Sequence, residues 1–210
     1  AHTVNISTAV AFVAAACGVP IAKHGNRSVS SRCGSADVLE ACGVNLMASA
    51  EVARRCLDEG GVCFLFAPRY PAGVKHAMPA RHALGTRTMF NLLGPLINPA
   101  QPRRCVLGVH SYNLGRTYAE ALKRRGNIER AWVVCGREGL DEISCEGPTD
   151  VWELDAQGEI KEFTVEPLRD FGINPHPLKH VGSSSSDKNA SIVLRLLSSN
   201  EASLSEGSLD

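Results

Sequence analysis

Two short stretches of the 210-residue sequence carry residue types that could do chemistry. The first is Lys23, His24, Gly25, Asn26, Arg27, Ser28, Val29, Ser30 and Ser31. It combines cations, hydroxyl donors and main-chain N–H groups around a glycine. That mixture suits phosphate oxygens, because charge-assisted donors and oriented amides both favour a concentrated anion. The second is the pair Asp141-Glu142, inside Gly139-Leu140-Asp141-Glu142-Ile143-Ser144. Adjacent carboxylates are hard oxygen donors, apt for a Mg2+ that also takes phosphate oxygens. The plain alternatives are a polar surface loop for the first and a solvated acidic turn for the second.

Both stretches need elements to position them. Asn5-Ile6-Ser7-Thr8 precedes the Ala-rich run AVAFVAAAC, and Gly18 follows it, which predicts a capped helix. Val19–Ala22 predicts a short buried strand that delivers the Lys23–Ser31 loop at its C-terminal end, where open α/β sheets place ligands. Ser35-Ala36-Asp37 opens a helix stopped at Gly43. Ala50–Glu59 is an amphipathic helix ended by Gly60-Gly61, and Val62–Ala67 is a strand. Ala72–Leu84 predicts a helix interrupted at Pro79, and Phe90–Pro99 an apolar, proline-punctuated connection. Arg104–His110, Leu114–Arg125 and Ala131–Cys135 alternate as strand, helix and strand. Thr149–Leu154 and Glu159–Thr164 flank Asp155-Ala156-Gln157-Gly158 as a hairpin, and Asp187–Ser198 is a last helix. The alternation predicts an α/β fold with a mostly parallel central sheet and flanking helices.

Composition narrows the classes. The sequence is 44% hydrophobic, 21% charged and 5% aromatic, so the core rests on Ala, Val and Leu. The net charge of +0 argues against a general nucleic-acid or anionic-membrane binder. The apolar run Ala9–Cys17 is about half the length a membrane helix needs. The neutral total hides an asymmetry: residues 69–137 hold twelve Lys/Arg and two Asp/Glu, whereas 138–171 hold eleven Asp/Glu and two Lys/Arg. Two charged faces that attract each other, or a cleft with a cationic and an acidic wall, both fit. Eight cysteines without a CxxC spacing speak against a zinc knuckle and for reduced, buried thiols in an intracellular protein.

The stretches NIST, AFVAAACG, KHGNRSVSS and GSADVLEA, followed by FNLLGPLINP, GLDEIS and GPT, resemble the anthranilate phosphoribosyltransferase family. The resemblance runs from about Thr3 to about Thr149. It implies a nucleoside phosphorylase/phosphoribosyltransferase C-terminal-domain-like fold. It also implies transfer of the 5-phosphoribosyl group of phosphoribosyl pyrophosphate (PRPP) to anthranilate, a step of tryptophan biosynthesis that uses Mg2+. Carried over residue by residue, Thr3, Asn5, Ile6, Ser7, Thr8, Lys23, His24, Gly25, Asn26, Arg27, Ser28, Val29, Ser30, Ser31 and Ser35 would line PRPP. Asn26, Arg81 and His24 would meet anthranilate, and Ser7, Asp141 and Glu142 would hold Mg2+. Capping remains an alternative role for Ser7, Thr8 and Ser35.

The resemblance has departures. The family's Gly-Thr-Gly-Gly-Asp turn, most of its N-terminal helical domain, and its final strand and helix are not in this sequence. Tyr70-Pro71-Ala72-Gly73 replaces Tyr-His-Pro-Ala, and Gly182-Ser183-Ser184-Ser185-Ser186 replaces a Gly-Gly-Asp. The expectation is therefore a fragment. Residues 1–198 would form the phosphoribosyltransferase α/β domain, 72–99 a helical hinge portion, and 199–210 a disordered tail. The parent would be a homodimer through the helical domain, cytoplasmic in a microbe or plastid in a plant or alga. Two other functions share the fold: a non-catalytic nucleic-acid-binding relative, and pyrimidine nucleoside phosphorolysis.

Overall fold

The computed structural model of the chain describes residues 3–28, 33–70, 93–182 and 184–198. In chain order its helices and strands are α1 (Ile6–Ala16), β1 (Ile21–Gly25), α2 (Ser35–Ala41), α3 (Ala50–Gly60), β2 (Val62–Phe66), β3 (Arg104–Gly108), α4 (Tyr112–Arg125), β4 (Arg130–Gly136), β5 (Thr149–Asp155), β6 (Ile160–Val165), α5 (Pro167–Phe171) and α6 (Ser186–Ser198). The helix expected over Ala72–Leu84 and the tail 199–210 lie outside the described residues. The chain divides into two compact units: Gln101–Gly182, and the residues up to Ala100 together with those from Ser183 onward.

In the unit formed by the two ends of the chain, β1 and β2 pair in parallel, Ile21 opposite Val62 through Gly25 opposite Phe66. The strand expected over Val19–Ala22 is therefore displaced toward the C-terminus. The ladder to β2 outlasts the apolar run and takes Lys23, His24 and Gly25 into the sheet, so the loop proper starts at Asn26. Helix α3 connects toward β2 with both ends sealed. Ser49 Oγ accepts from Val52 N at 3.2 Å, and Gly61 turns left-handed at φ +71°. Two apolar clusters hold this unit together. Ala36, Leu39, Leu46 and Phe66 form one, with Phe12 and Phe64 packed against it. Cys33, Val38, Ala190 and Val193 form the other, which seats α6 against α2.

In the unit Gln101–Gly182, the sheet runs β3-β4-β5-β6. The β3–β4 pair is parallel and crossed by α4, while β4–β5 and β5–β6 are antiparallel. The architecture is the α/β fold that the sequence predicts, and among the described residues two pairings are parallel and two antiparallel. The tight turn at Asp155–Gly158 closes a hairpin and cannot feed a parallel neighbour. Asp155 Oδ1 accepts from Gln157 N at 3.0 Å and Glu159 N at 2.9 Å to hold that turn. Leu122, Val133, Val134, Val151, Trp152 and Leu154 are all at most 1% exposed and form its core. The strand pairing brings two charges of the basic stretch onto two of the acidic stretch. Basic β4 and its exit lie against acidic β5, with Arg137 on Asp150 at 3.0 Å and Arg130 on Glu153.

All eight cysteines are free thiols. Among the described residues no helix is long and apolar enough to cross a membrane.

Candidate active site

The first group of residues gathers where α1 begins, β1 ends and α2 begins. Helix α1 starts at Ile6, so Ser7 and Thr8 lie inside its first turn and neither caps it. Asn5 is the N-cap residue, and its side chain makes no capping hydrogen bond. Lys23, on β1, donates from Nζ to Ser7 Oγ at 3.0 Å. A cation and a hydroxyl thus meet at the positive end of a helix that no side chain closes, an arrangement suited to an anion. Thr8 is fully buried, and its hydroxyl has no hydrogen-bond partner among the described residues. Ile6 and Thr3 are half-buried.

His24 Nδ1 lies 2.9 Å from Leu65 O. A carbonyl only accepts, so Nδ1 carries the hydrogen and Nε2 is the acceptor in the neutral ring. Burial pushes the imidazole below its ordinary value. The bond to Leu65 opposes that shift, and the Lys23 charge adds to it. Gly25 ends β1 where space is scarce: a Cβ there would stand 2.2 Å from Ser35 Oγ.

Arg27 is engaged within the protein rather than pointing an unpaired charge at a ligand. Its guanidinium grips Glu40 through two 2.7 Å bonds and reaches Asp37 at 3.2 Å. Asp37 was not legible as a functional residue, yet it organises the loop. Its Oδ2 accepts from Ser28 N at 3.0 Å and Gly34 N at 2.8 Å, and so closes both ends of residues 28–34. Its position three residues into the α2 turn after Gly34 was the available signal. Asn26 turns its side chain onto Arg27 N at 2.8 Å, while its carbonyl receives Ser35 Oγ and Ala36 N. Ser35 is therefore the first residue of α2 and binds the loop rather than capping. Val29, Ser30, Ser31 and Arg81 lie outside the described residues.

The second group lies in the unit Gln101–Gly182, in the connection from β4 to β5. Asp141 and Glu142 are both half-buried there. A bridge between Gly136 and Leu140 folds the segment back, with Gly136 N donating to Leu140 O at 2.8 Å. Thr149, fully buried at the start of β5, accepts Ser144 N on its hydroxyl at 2.8 Å. Ser144 Oγ in turn donates to Glu138 and receives the amides of Glu146 and Gly147. No single motif announced this bracing.

Asp141 and Glu142 fit magnesium as a partial donor set. Among the described residues no group of three or more His, Cys, Asp or Glu gathers to hold a metal ion. Two carboxylates suit an ion that keeps water and takes its other ligands from a substrate's phosphates.

Comparison with known proteins gives the family of the chain. Residues 1–208 match the family model described as glycosyl transferase family, a/b domain. The anthranilate phosphoribosyltransferase of Photobacterium profundum is 50% identical over 209 residues, a match that takes in 100% of this chain and 60% of that protein. The enzyme of Pasteurella multocida is 53% identical over 197 residues, 94% of this chain and 58% of its own length. Among solved structures, anthranilate phosphoribosyltransferase from Saccharomyces cerevisiae in complex with PRPP and Mg superposes with a TM-score of 0.84 at 32% identity, covering 93% of this chain and 53% of that one. The Thermus thermophilus enzyme gives a TM-score of 0.84 at 43% identity, covering 94% and 57%. The chain thus spans at most 60% of the length of these relatives. On a match that covers nearly all of its residues, the chain belongs to the glycosyl transferase family as its a/b domain.

Proposed function

We propose that the protein carrying this chain transfers the 5-phosphoribosyl group of PRPP to the amino nitrogen of anthranilate. In that reaction the bond from C1 to the pyrophosphate oxygen breaks, a C1–N bond forms, and the amine gives up a proton. Negative charge grows on the leaving pyrophosphate, so the task for the protein is to hold that charge and place the amine. The observation that carries this reading is the meeting of Lys23 Nζ and Ser7 Oγ, 3.0 Å apart, at the uncapped N-terminus of α1. The names of the relatives point the same way.

Within this reading Lys23 and the hydroxyl and amide of Ser7 receive phosphate oxygens, while the amides of Ile6 and Thr8 are already taken by Val4 O and Asn5 O. Arg27 and Asp37 hold the loop in shape instead of touching substrate. His24, with its hydrogen committed to Leu65, presents an acceptor and suits the amine side of anthranilate better than the carboxylate. Arg81 remains the cation for the carboxylate. Asp141 and Glu142 are the carboxylates that would hold Mg2+. The bound ion supplies charge neutralisation for the pyrophosphate.

Anthranilate fluorescence followed over time, with PRPP and Mg2+ added to the purified protein, tests the function. A decay that requires PRPP and stops on adding EDTA is expected. No decay, together with no calorimetric PRPP binding, overturns it.

A further inference from the structure

Asn189 is fully buried on α6, far in sequence from the stretches that suggested chemistry. A buried carboxamide needs partners for its donor and its acceptor, and the partners of this one are specific. Its Oδ1 accepts from Ser184 N at 3.1 Å, and its Nδ2 donates to Asn5 Oδ1 at 3.3 Å. Asn5 then passes the polarity on, with Nδ2 reaching toward Cys33 O at 3.5 Å, just before α2. The relay orients both carboxamides, because each oxygen must face a donor and each nitrogen an acceptor. It ties α6, the start of α1 and the end of the phosphate loop into one unit. The apolar contacts of Ala190 and Val193 with Cys33 and Val38 reinforce it.

The relay has a cost at α1. Asn is among the best N-cap residues, because its side-chain oxygen ordinarily accepts an amide of the first turn. At Asn5 that oxygen faces Asn189 instead, and no side-chain cap forms. We propose that Asn189 is a positioning residue of the PRPP site: by holding Asn5 away from its capping role, it keeps the N-terminus of α1 open for the substrate's phosphate. The Thr8 amide is already taken by Asn5 O at 3.0 Å, so without Asn189 the Asn5 side chain turns back onto the amide of Ser7 and competes there with the anion. The inference rests on the function proposed above, and it assigns Asn189 an effect on PRPP carried through Asn5.

The test is PRPP binding by calorimetry, with Mg2+ present, to the wild-type chain, Asn189→Ala, Asn5→Ala and the double variant. Asn189→Ala is expected to weaken binding about tenfold. The double variant should bind no more weakly than Asn5→Ala alone, because residues acting through one relay are not additive. Fully additive losses, or unchanged affinity in Asn189→Ala, overturn the inference while leaving the function intact. Failure of the wild-type chain to bind PRPP instead overturns the function, and the inference with it. If Asn189→Ala does not fold, Asn189→Asp carries the same test. It keeps an acceptor for Ser184 N and exchanges the donor toward Asn5 for a carboxylate oxygen, and the same substitution combined with Asn5→Ala controls for the added charge.

Discussion

Gly108, the last residue of β3, leaves room for the main-chain carbonyl of Asp141: a Cβ at residue 108 would stand 1.7 Å from that oxygen. The carboxylate pair can therefore sit against the end of β3 only because residue 108 has no side chain. The requirement is steric. It depends on a close approach between residues far apart in sequence.

Gly108→Ala is expected to push the 139–144 segment off the strand end. Overpacking of this kind costs roughly 1–3 kcal/mol. The variant should melt at lower temperature and lose Mg2+-dependent turnover. An unchanged Mg2+ dependence would show that the carboxylates do not need this seat.

Thr149 braces the same segment from the other side. Thr149→Val preserves volume but strands the Ser144 amide, and a buried orphaned donor costs roughly 1–3 kcal/mol. Thr149→Ser keeps the hydroxyl and should recover most of the stability. The measurement is thermal unfolding of both variants against wild type. Equal losses in the two would assign the effect to packing and not to the bond with Ser144.

Stability should fall on acidification in two stages. His24 titrates below its ordinary value in the folded state because it is buried. The unfolded chain then binds the proton first, so its contribution is present above about pH 6.5 and declines as pH falls toward the lowered folded value. Asp37 acts in the more acidic window. Burial alone would raise its carboxyl, but the amides of Ser28 and Gly34 and the Arg27 guanidinium outweigh that and hold it low. Its contribution is lost as pH drops below the ordinary carboxylate range. Melting temperatures across pH 8 to 3 should show a shallower first decline in His24→Gln and a shallower second decline in Asp37→Asn. A profile identical to wild type in either variant would remove that residue from the account.

Local sequence determined the element types and the chemistry of the loops. Ser49 and Gly61 bound α3, Gly158 turns the hairpin, and both candidate site stretches carry their residue types in a row. These are short-range effects of backbone preference and side-chain chemistry, legible without a fold. Tertiary structure decided where those groups go. The ladder to β2 drew Lys23 and His24 into a strand, because pairing with Phe64 and Leu65 satisfies main-chain groups that an isolated loop leaves to water. Arg27 was spent on Glu40 and Asp37, and Asn5 was turned toward Asn189, 184 residues away. Strand register, a missing Cβ at Gly108 and a buried carboxamide act through distance in space. Their effects arise only when packing brings the partners together and excludes the water that would otherwise serve each group.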